Sequence, residues 1–348
     1  MSRSKQAGRE ARAERSAVFV VWRAYQGRVD AMQRSFEYDA FYYGRSFGSR
    51  LWRTAEYLLK GLATLGLLAR RRPPVLWLQL PPTPLLYVGA VYKAVSRDAT
   101  LVADCHNSLF TRPWIRTPGL WRLLNQVADL ALVHNEYVRA QAIALGLDAA
   151  RCLVLETRPA TPAPAQADAD SAAPAGARRP WVLFPAGFDA DEPIEAFLSA
   201  ARKVPDITFV VTGDARRARG GYDDDAVPQN VVLAGWVDVA RYKAFVRTAD
   251  LILGLTLVEG IQLSVANEAV GYGKALVLSD TQLLRALFSK GAVYVKPDPD
   301  DIANGVRTAL ARRSELEMEA IELRAERVER WTKQAALVEE RLRMRGGR

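Results

Sequence analysis

Two histidines, the only two in the chain, stand where a parallel sheet would display them. His106 and His134 each follow a short apolar run that resembles a buried strand. Functional groups gather beyond the carboxyl ends of parallel strands, and imidazole can act as a general base near neutral pH. Asp104 and Asn107 flank His106, so we expect catalysis there, with His106 or Asp104 as the base. For His134 we expect a structural role.

A second segment with chemical potential runs through residues 253–280. A predicted strand leads into a glycine-containing loop, and a helix follows. Such a turn offers free backbone amides and the positive end of the helix dipole, which suit a pyrophosphate. We therefore expect the pyrophosphate of a ligand on the amides of Gly260, Ile261, Gln262, Leu263 and Ser264.

Three charged side chains of this segment are candidates to bind the rest of such a ligand. Glu268 is placed to accept hydrogen bonds from ribose hydroxyls, Glu259 to reach sugar hydroxyls and Lys274 to face the diphosphate. The two glutamates also fit a structural interpretation. In that interpretation Glu259 caps a helix and Glu268 lies on a solvated helix face. The residue types alone leave both alternatives open.

Alternating strand and helix patterns surround both segments and predict an α/β protein of two similar halves. Residues 17–156 and 181–312 each indicate a Rossmann-like, doubly wound domain, because apolar strands alternate with helices throughout. The Ala/Pro-rich residues 157–180 predict a linker, and residues 1–16 a flexible basic tail. Residues 313–348 predict a charged helix that packs back across the domains. Two such domains facing each other would form a ligand cleft.

Composition narrows the class of protein further. The 348 residues carry a net charge of +9 and include two cysteines, which argues against a disulfide framework or a cysteine-based zinc site and fits a reducing cytoplasm. The chain has no apolar run of transmembrane length, no Walker A loop and no GxGxxG fingerprint after its first strand. We expect no metal site and no nucleic-acid partner, because the corresponding motifs are missing. The positive charge suits an anionic substrate or an anionic membrane face.

The segment around Glu259 resembles the donor-binding motif of GT-B glycosyltransferases, in which two glutamates precede a turn into a strand. Eight residues separate Glu259 from Glu268, one more than in that motif. Upstream, residues 230–237 resemble the strand–glycine segment that lies near the donor base in this family. The resemblance implies a GT-B fold with the donor on the C-terminal domain, bordered by Gly235.

The N-terminal half carries a second resemblance, in the motifs Gln79-Leu80-Pro81-Pro82 and Asp104-Cys105-His106-Asn107. This pair is similar to the Q-x-P-P and D-x-H-N motifs of the cytosolic β-mannosyltransferases that extend lipid-diphosphate chitobiose. The resemblance implies GDP-mannose as donor and inversion at the anomeric carbon. It also implies that Gln79, Pro82 and Asn107 lie on the acceptor side.

Together these features predict a glycosyltransferase that moves a hexose from a nucleotide diphosphate sugar to a lipid-linked or polysaccharide acceptor. The nucleotide sugar is a co-substrate, and we expect no cofactor.

Tryptophan and arginine are mixed in residues 42–57 and 110–122. This mixture is typical either of a membrane-docking face or of amphipathic helices packed on a sheet. We favour a cytoplasmic protein, peripheral on the membrane. Two alternatives stay open: a nucleotide-sugar epimerase of the same fold, and a non-catalytic membrane-anchoring subunit, which the acidic residues 189–192 would suit.

Overall fold

The computed structural model describes residues 17–44, 52–160, 174–217 and 227–346. Within these ranges the strands form two six-stranded sheets, and every pair of neighbouring strands is parallel. The first sheet contains β1 (Ala17–Val21), β2 (Tyr38–Tyr42), β3 (Val75–Leu80), β4 (Thr100–Cys105), β5 (Leu130–Val133) and β6 (Cys152–Val154). The second contains β7 (Trp181–Pro185), β8 (Thr208–Thr212), β9 (Val231–Gly235), β10 (Leu251–Gly254), β11 (Leu276–Ser279) and β12 (Ala292–Val295).

Eleven α-helices connect or flank these strands in the described ranges. They are α1 (Gly27–Phe36), α2 (Arg53–Arg71), α3 (Pro84–Val95), α4 (Leu120–Val127), α5 (Glu136–Ala144), α6 (Ile194–Lys203), α7 (Val239–Thr248), α8 (Ser264–Tyr272), α9 (Gln282–Leu287), α10 (Pro299–Ala311) and α11 (Arg313–Gly346). None of them combines the length and the apolar character that a bilayer-spanning helix requires.

The chain divides into two compact units, each built on one sheet. The first unit comprises the described residues up to Arg158 together with those from Arg330 onward, and the second runs from Pro159 to Glu329. The predicted linker, residues 157–180, is too long at its C-terminal end. The amide of Arg178 donates to Thr208 Oγ1 at 3.2 Å, and Arg179 pairs with Asp250, so this stretch belongs to the second unit.

The first sheet has the strand order β2-β1-β3-β4-β5-β6. Alternate residues of each strand face opposite sides, as the pleat requires. On one side, α2, α3 and α4 cover Val18, Leu78 and their neighbours. On the other side, α1 and the C-terminal part of α11 cover Phe19 and Trp77, whose rings stack with centroids 5.7 Å apart. Both sides of the sheet are therefore buried, in agreement with the uninterrupted apolar runs in the sequence.

Both cysteines are free and lie within this first unit. Cys105 ends β4 and Cys152 begins β6, and both face the core side that α2, α3 and α4 cover. Burial raises the pKa of Cys152 to about 11 and that of Cys105 well above its ordinary value. Both thiols are therefore protonated at neutral pH.

The second sheet has the order β12-β11-β10-β7-β8-β9, the strand order of the Rossmann fold. Its topological switch point lies between β7 and β10, from which the chain builds outward in both directions.

Just beyond β8, Gly213 has a φ of 117°, and its amide donates to the carbonyl of Gly235 at 2.9 Å. A Cβ atom at this position would overlap the carbonyl oxygen of Ala186, so the close approach of the two loops requires glycine.

Candidate functional site

A buried carboxylate at the end of β4 forms the centre of the first candidate site. Asp104 has no exposed side-chain surface, and three basic side chains surround it. His106 Nε2 lies 3.0 Å from Asp104 Oδ2, and His134 Nε2 lies 3.6 Å from Asp104 Oδ1. His106 and His134 are the first residues after β4 and β5, which are neighbours in the sheet, so the sheet itself brings both histidines to Asp104. His134 thus contacts the candidate catalytic carboxylate, and the structural role expected for it stays a prediction.

The third basic group is Arg28, which the sequence did not single out. Its Nε lies 3.3 Å from Asp104 Oδ1, while Nη1 and Nη2 donate to the carbonyl oxygens of Glu156 and Leu155 at 2.8 and 2.7 Å. The guanidinium is therefore fixed between β4 and the end of β6. One signal was present in the sequence: Arg28 stands in the first turn of α1, where a cation opposes the helix dipole and needs a compensating partner.

The charges of this cluster follow from its surroundings. Burial alone would raise the pKa of Asp104, but the Arg28 guanidinium and His106 hold that pKa well below its ordinary value. Burial lowers the pKa of His134 to about 3, so His134 is neutral at physiological pH. Because an ionised carboxylate only accepts hydrogen bonds, His106 must donate its Nε2 proton to Asp104. The Nδ1 lone pair of His106 is then available to accept a proton.

The same side chains form the one group within the described ranges that has metal-ligand spacing. Asp104, His106 and His134 offer ligand atoms that all lie within 4.8 Å of one another. The sequence motifs had predicted no such group. Arg28 already compensates the Asp104 carboxylate, however, and a divalent cation there would meet a buried positive charge. The arrangement therefore suits proton transfer better than cation binding.

The residues expected on the acceptor side lie at the same edge of the sheet. Gln79 is in register with Asp104 on the neighbouring strand β3, and Pro82 and Asn107 follow the ends of these two strands. Gln79 is 1 % exposed, and neither polar atom of its amide has a hydrogen-bond partner; Asn107 Oδ1 is also buried and unpartnered. Unpaired buried polar groups are unfavourable, so they are placed to gain energy from a hydroxyl-rich ligand.

In the second unit, the loops after β7 and β10 meet at the switch point of the sheet. The amide of Leu257 donates to the carbonyl of Asp191 at 2.6 Å, and Thr256 Oγ1 lies 3.3 Å from Asp191 Oδ2. The helix α8 begins at Ser264 just beyond this loop, and no side chain caps its first turn. The amides at its start, preceded by Gly260, Ile261, Gln262 and Leu263 in the loop, therefore form a site suited to an anion.

Glu268 and Tyr242 form a hydrogen-bonded pair between α7 and α8. Tyr242 Oη donates to Glu268 Oε2 at 2.6 Å, and burial raises the pKa of Glu268. This position is inconsistent with the solvated helix face considered for Glu268. A carboxylate has several lone pairs, so Glu268 can still accept hydrogen bonds from a ligand. Gly235 ends β9 on the same side of the unit, and the next residue, Trp236, is 84 % exposed.

Glu259 is a capping residue, as the structural interpretation of the sequence allowed, and the helix that it caps is α9. Its carboxylate accepts hydrogen bonds from the amides of Gln282 and Leu283, at 2.9 and 3.0 Å, in the first turn of α9. It also accepts from the amide of Gly260 at 3.1 Å. Glu259 thus anchors the loop between β10 and α8 to the first turn of α9. A contact between Glu259 and a sugar stays a prediction.

The prediction for Lys274 is wrong. Lys274 precedes β11 and therefore lies at the amino edge of the sheet, opposite to the edge where α8 begins. Its Nζ lies 3.2 Å from Glu317 Oε1, and burial lowers the pKa of the ammonium group. Lys274 thus supports the packing of α11 and does not face a ligand at the switch point.

Residues 190–342 match a family model described as glycosyl transferase-like. No curated protein sequence matches the chain with significance.

Solved structures match almost the whole chain. HepE of Anabaena, in complex with UDP and glucose, has a TM-score of 0.65 and 14% identity over 94% of this chain and 100% of that chain. Sucrose-phosphate synthase of Thermosynechococcus elongatus has a TM-score of 0.67 and 14% identity over 95% and 99%. The UDP-forming α,α-trehalose-phosphate synthase of Burkholderia xenovorans has a TM-score of 0.66 and 12% identity over 94% and 99%. Together with the two parallel sheets, these likenesses show that the chain has the GT-B fold.

Proposed function

We propose that the chain is a glycosyltransferase that moves a hexose from a nucleotide diphosphate sugar to an acceptor hydroxyl. The observation that carries this proposal is the pair Asp104–His106, a buried carboxylate that fixes the tautomer of a histidine at the carboxyl edge of a sheet. The glycosyl transferase-like match of residues 190–342 supports it.

In the proposed reaction His106 is the general base. The acceptor hydroxyl gives its proton to Nδ1 of His106 as its oxygen attacks the anomeric carbon of the donor. The bond from that carbon to the diphosphate breaks, and the nucleoside diphosphate leaves with the electron pair. Asp104 stabilises the imidazolium that forms, and Arg28 keeps Asp104 ionised. Attack opposite to the leaving group inverts the anomeric centre.

The donor lies on the second unit in this proposal. The amides at the start of α8 bind the diphosphate and stabilise the negative charge that develops on it. Glu268 accepts hydrogen bonds from the ribose, and the loop at Gly235 borders the base. GDP-mannose is the favoured donor, on the resemblance of the Gln79–Pro82 and Asp104–Asn107 motifs to β-mannosyltransferases. The comparison structures with UDP or UDP-glucose make UDP sugars the competing class.

The acceptor is lipid-linked or a polysaccharide, and it lies beside Gln79, Pro82 and Asn107. Its hydroxyls would satisfy the unpartnered amide of Gln79. In this proposal transfer needs no metal ion, because the amides at the start of α8 stabilise the leaving diphosphate, and no cofactor, because the nucleotide sugar is itself the co-substrate. The protein works at the cytoplasmic face of a membrane.

The test is a transfer assay with GDP-mannose, UDP-glucose and ADP-glucose against detergent-solubilised polyprenyl-diphosphate oligosaccharide, alongside melting curves with the free nucleotides. We expect His106→Ala to lower kcat about 10²- to 10⁴-fold, which is the usual contribution of a general base. The variant should keep the rise in melting temperature that the preferred nucleotide causes, because ligand binding to the folded state is unchanged. Glu268→Ala should lose that rise.

Three results would contradict the proposal in different ways. Full activity of His106→Ala removes the base assignment. Conversion of the donor into an isomer without any acceptor indicates an epimerase. Absence of stabilisation by every nucleotide indicates a non-catalytic subunit.

A further inference from the structure

The part of α2 that precedes Leu67 is packed with polar side chains inward and leucines outward. Glu56, Lys60 and Thr64 recur at every fourth position and are buried. Leu58, Leu59 and Leu62 are 66 %, 54 % and 67 % exposed. A surface helix of a globular protein ordinarily shows the opposite arrangement, with its apolar stripe toward the core.

Specific contacts hold the polar side inward. Lys60 Nζ lies 2.6 Å from Glu56 Oε1, and both side chains are 7 % exposed. Thr64 Oγ1 accepts from Trp22 Nε1 at 3.1 Å and donates to the carbonyl of Lys60 at 2.7 Å. Since a buried ion pair and a buried hydroxyl are tolerated only when they are paired, these contacts fix which side of α2 faces outward.

The neighbouring helix α3 continues the same apolar surface. A Cβ atom on Gly61 of α2 would lie 3.6 Å from Cγ2 of Val88 in α3, so the two helices pack closely side by side. Both lie on the same side of the first sheet. The outward residues of α3 are again apolar. The docking face is defined here by Leu58, Leu59, Leu62, Tyr87, Val91 and Val95, which are all about half exposed or more.

Positive charge predominates at the border of the docking face. Residues 52–98 contain seven basic and two acidic residues: Glu56 is buried, and Asp98 is exposed beside Arg97. The exposed basic residues include Arg53 at the start of α2, Arg70 and Arg72 at its end, and Arg97 after α3. Trp52, 61 % exposed, stands beside Arg53. An apolar surface with tryptophan and arginine at its margins is typical of helices that lie in the interface of an anionic membrane.

We propose that α2 and α3 form a membrane-docking surface that inserts its leucines among the acyl chains and places its arginines on anionic lipid headgroups. A second copy of the chain is a less suitable partner for this surface. In a symmetric dimer the arginines at the border of one docking face would meet the same arginines of the other, and like charges repel. This inference rests on the proposed function, because the docking face would bring the chain to a lipid-linked acceptor. The helix α3 begins five residues after Gln79, so the surface starts at the sheet edge where the lipid-linked acceptor is placed.

The test is flotation of the full chain with phosphatidylcholine vesicles, with and without phosphatidylglycerol. We expect binding only to the vesicles that contain phosphatidylglycerol, with weaker binding at high salt. The variant Leu59→Ser/Leu62→Ser should bind at least about tenfold more weakly, since each leucine loses its favourable transfer into the acyl layer. The matched control Ile321→Ser/Leu337→Ser removes exposed apolar side chains from α11 instead and should bind like the wild type.

Melting temperature with the preferred nucleotide separates this inference from the proposed function. Both double variants should keep the wild-type response, because no donor residue is changed. Vesicle binding without any nucleotide response leaves the docking face in place and removes the transferase. Equal flotation of Leu59→Ser/Leu62→Ser and the wild type overturns the docking face. A wild-type dimer that Leu59→Ser/Leu62→Ser converts to a monomer overturns it in favour of a second copy.

Discussion

Arg28 Nε lies 3.3 Å from Oδ1 and 3.4 Å from Oδ2 of Asp104, and the side chains of both residues are almost fully buried. The pair joins the first turn of α1 to the end of β4, 76 residues apart in the chain. Without Arg28, the Asp104 carboxylate would be a buried charge beside neutral His134. Arg28 is therefore a positioning residue for the proposed base, through Asp104.

Replacement of Arg28 tests this relationship. We expect Arg28→Met to lower the free energy of unfolding by roughly 3–5 kcal/mol, because it leaves Asp104 buried and uncompensated. The double variant Arg28→Met/Asp104→Asn should be less destabilised than the sum of the single variants, measured by urea denaturation. The control is Arg71→Met, whose partner Asp39 is half exposed at 2.7 Å, and the expected loss there is about 1 kcal/mol or less. Equal losses for Arg28→Met and Arg71→Met would contradict the assignment.

His134 should make stability depend on pH. Its pKa is about 3 in the folded protein and about 6.5 when unfolded, so the unfolded chain binds more protons below pH 6.5. Stability is thus full above about pH 6.5 and falls as the pH drops toward 3. Between pH 7 and pH 5 the loss should be about 2 kcal/mol. Because the charged groups Asp104, His106 and Arg28 surround the ring, the contribution of His134 is measured by comparison with His134→Gln. The free energy of unfolding of both proteins is followed from pH 7 to pH 5. Parallel curves for the two proteins would contradict the prediction for His134.

Tyr242 should tune donor binding through Glu268. Loss of the 2.6 Å hydrogen bond in Tyr242→Phe frees the carboxylate to rotate, so we expect the dissociation constant for the preferred nucleoside diphosphate to rise about fivefold, equivalent to roughly 1 kcal/mol. Titration calorimetry measures it. Glu322→Gln on α11 is the control, because that carboxylate lies on the surface beside Lys290. Unchanged affinity in Tyr242→Phe would show that Tyr242 does not position Glu268 for donor binding.

Gly213 should be intolerant of any side chain. In Gly213→Ala the Cβ would overlap the Ala186 carbonyl at a φ of 117°, so we expect a loss of at least about 3 kcal/mol in unfolding free energy. Gly119 has a φ of 67° with no neighbouring atom within 4 Å, and Gly119→Ala should cost only about 1–2 kcal/mol. Thermal and urea unfolding of the two variants would show whether the steric overlap or the dihedral angle dominates.

A chelator should leave transfer unchanged. Because the amides at the start of α8 are proposed to stabilise the leaving diphosphate, we expect the same initial rate with EDTA, with added Mg²⁺ and with added Mn²⁺. The readout is the rate of sugar transfer with detergent-solubilised acceptor. A loss of activity in EDTA that a divalent cation restores would show that transfer depends on a metal ion.

The sequence was sufficient for the fold because both sheets are parallel and buried on two sides. Such strands appear in the sequence as uninterrupted apolar runs. Where helices alternate with them, the pattern indicates a parallel sheet with helices on both faces. The same reasoning located Asp104, His106 and Asn107, since residues at the carboxyl ends of neighbouring strands must meet. Gln79 also lies at this edge, in register with Asp104.

Other features could not be predicted because they depend on contacts distant in the chain. Arg28 reaches Asp104 across 76 residues, and no local pattern marks that partner. Lys274 is near α8 in the chain, but it lies beyond the end of that helix and therefore at the opposite edge of the sheet. The sequence also indicated a membrane-docking face in residues 42–57, and the docking face of α2 and α3 differs from it for another reason. Glu56, Lys60 and Thr64 have the spacing of a solvated stripe, and only their contacts with each other and with Trp22 show that this stripe faces inward.

The two buried thiols should react very slowly with reagents added to the folded chain. Alkylating reagents and mild oxidants attack the thiolate, and Cys105 and Cys152 combine a raised pKa with almost no accessible surface. The folded chain therefore has no fast-reacting sulfur, although it has two cysteines. A single cysteine introduced on the outward side of α2, for example at Leu62, would take up a fluorophore or spin label selectively, without removal of the native pair. The label would then report directly on the polarity and depth of whatever covers that helix.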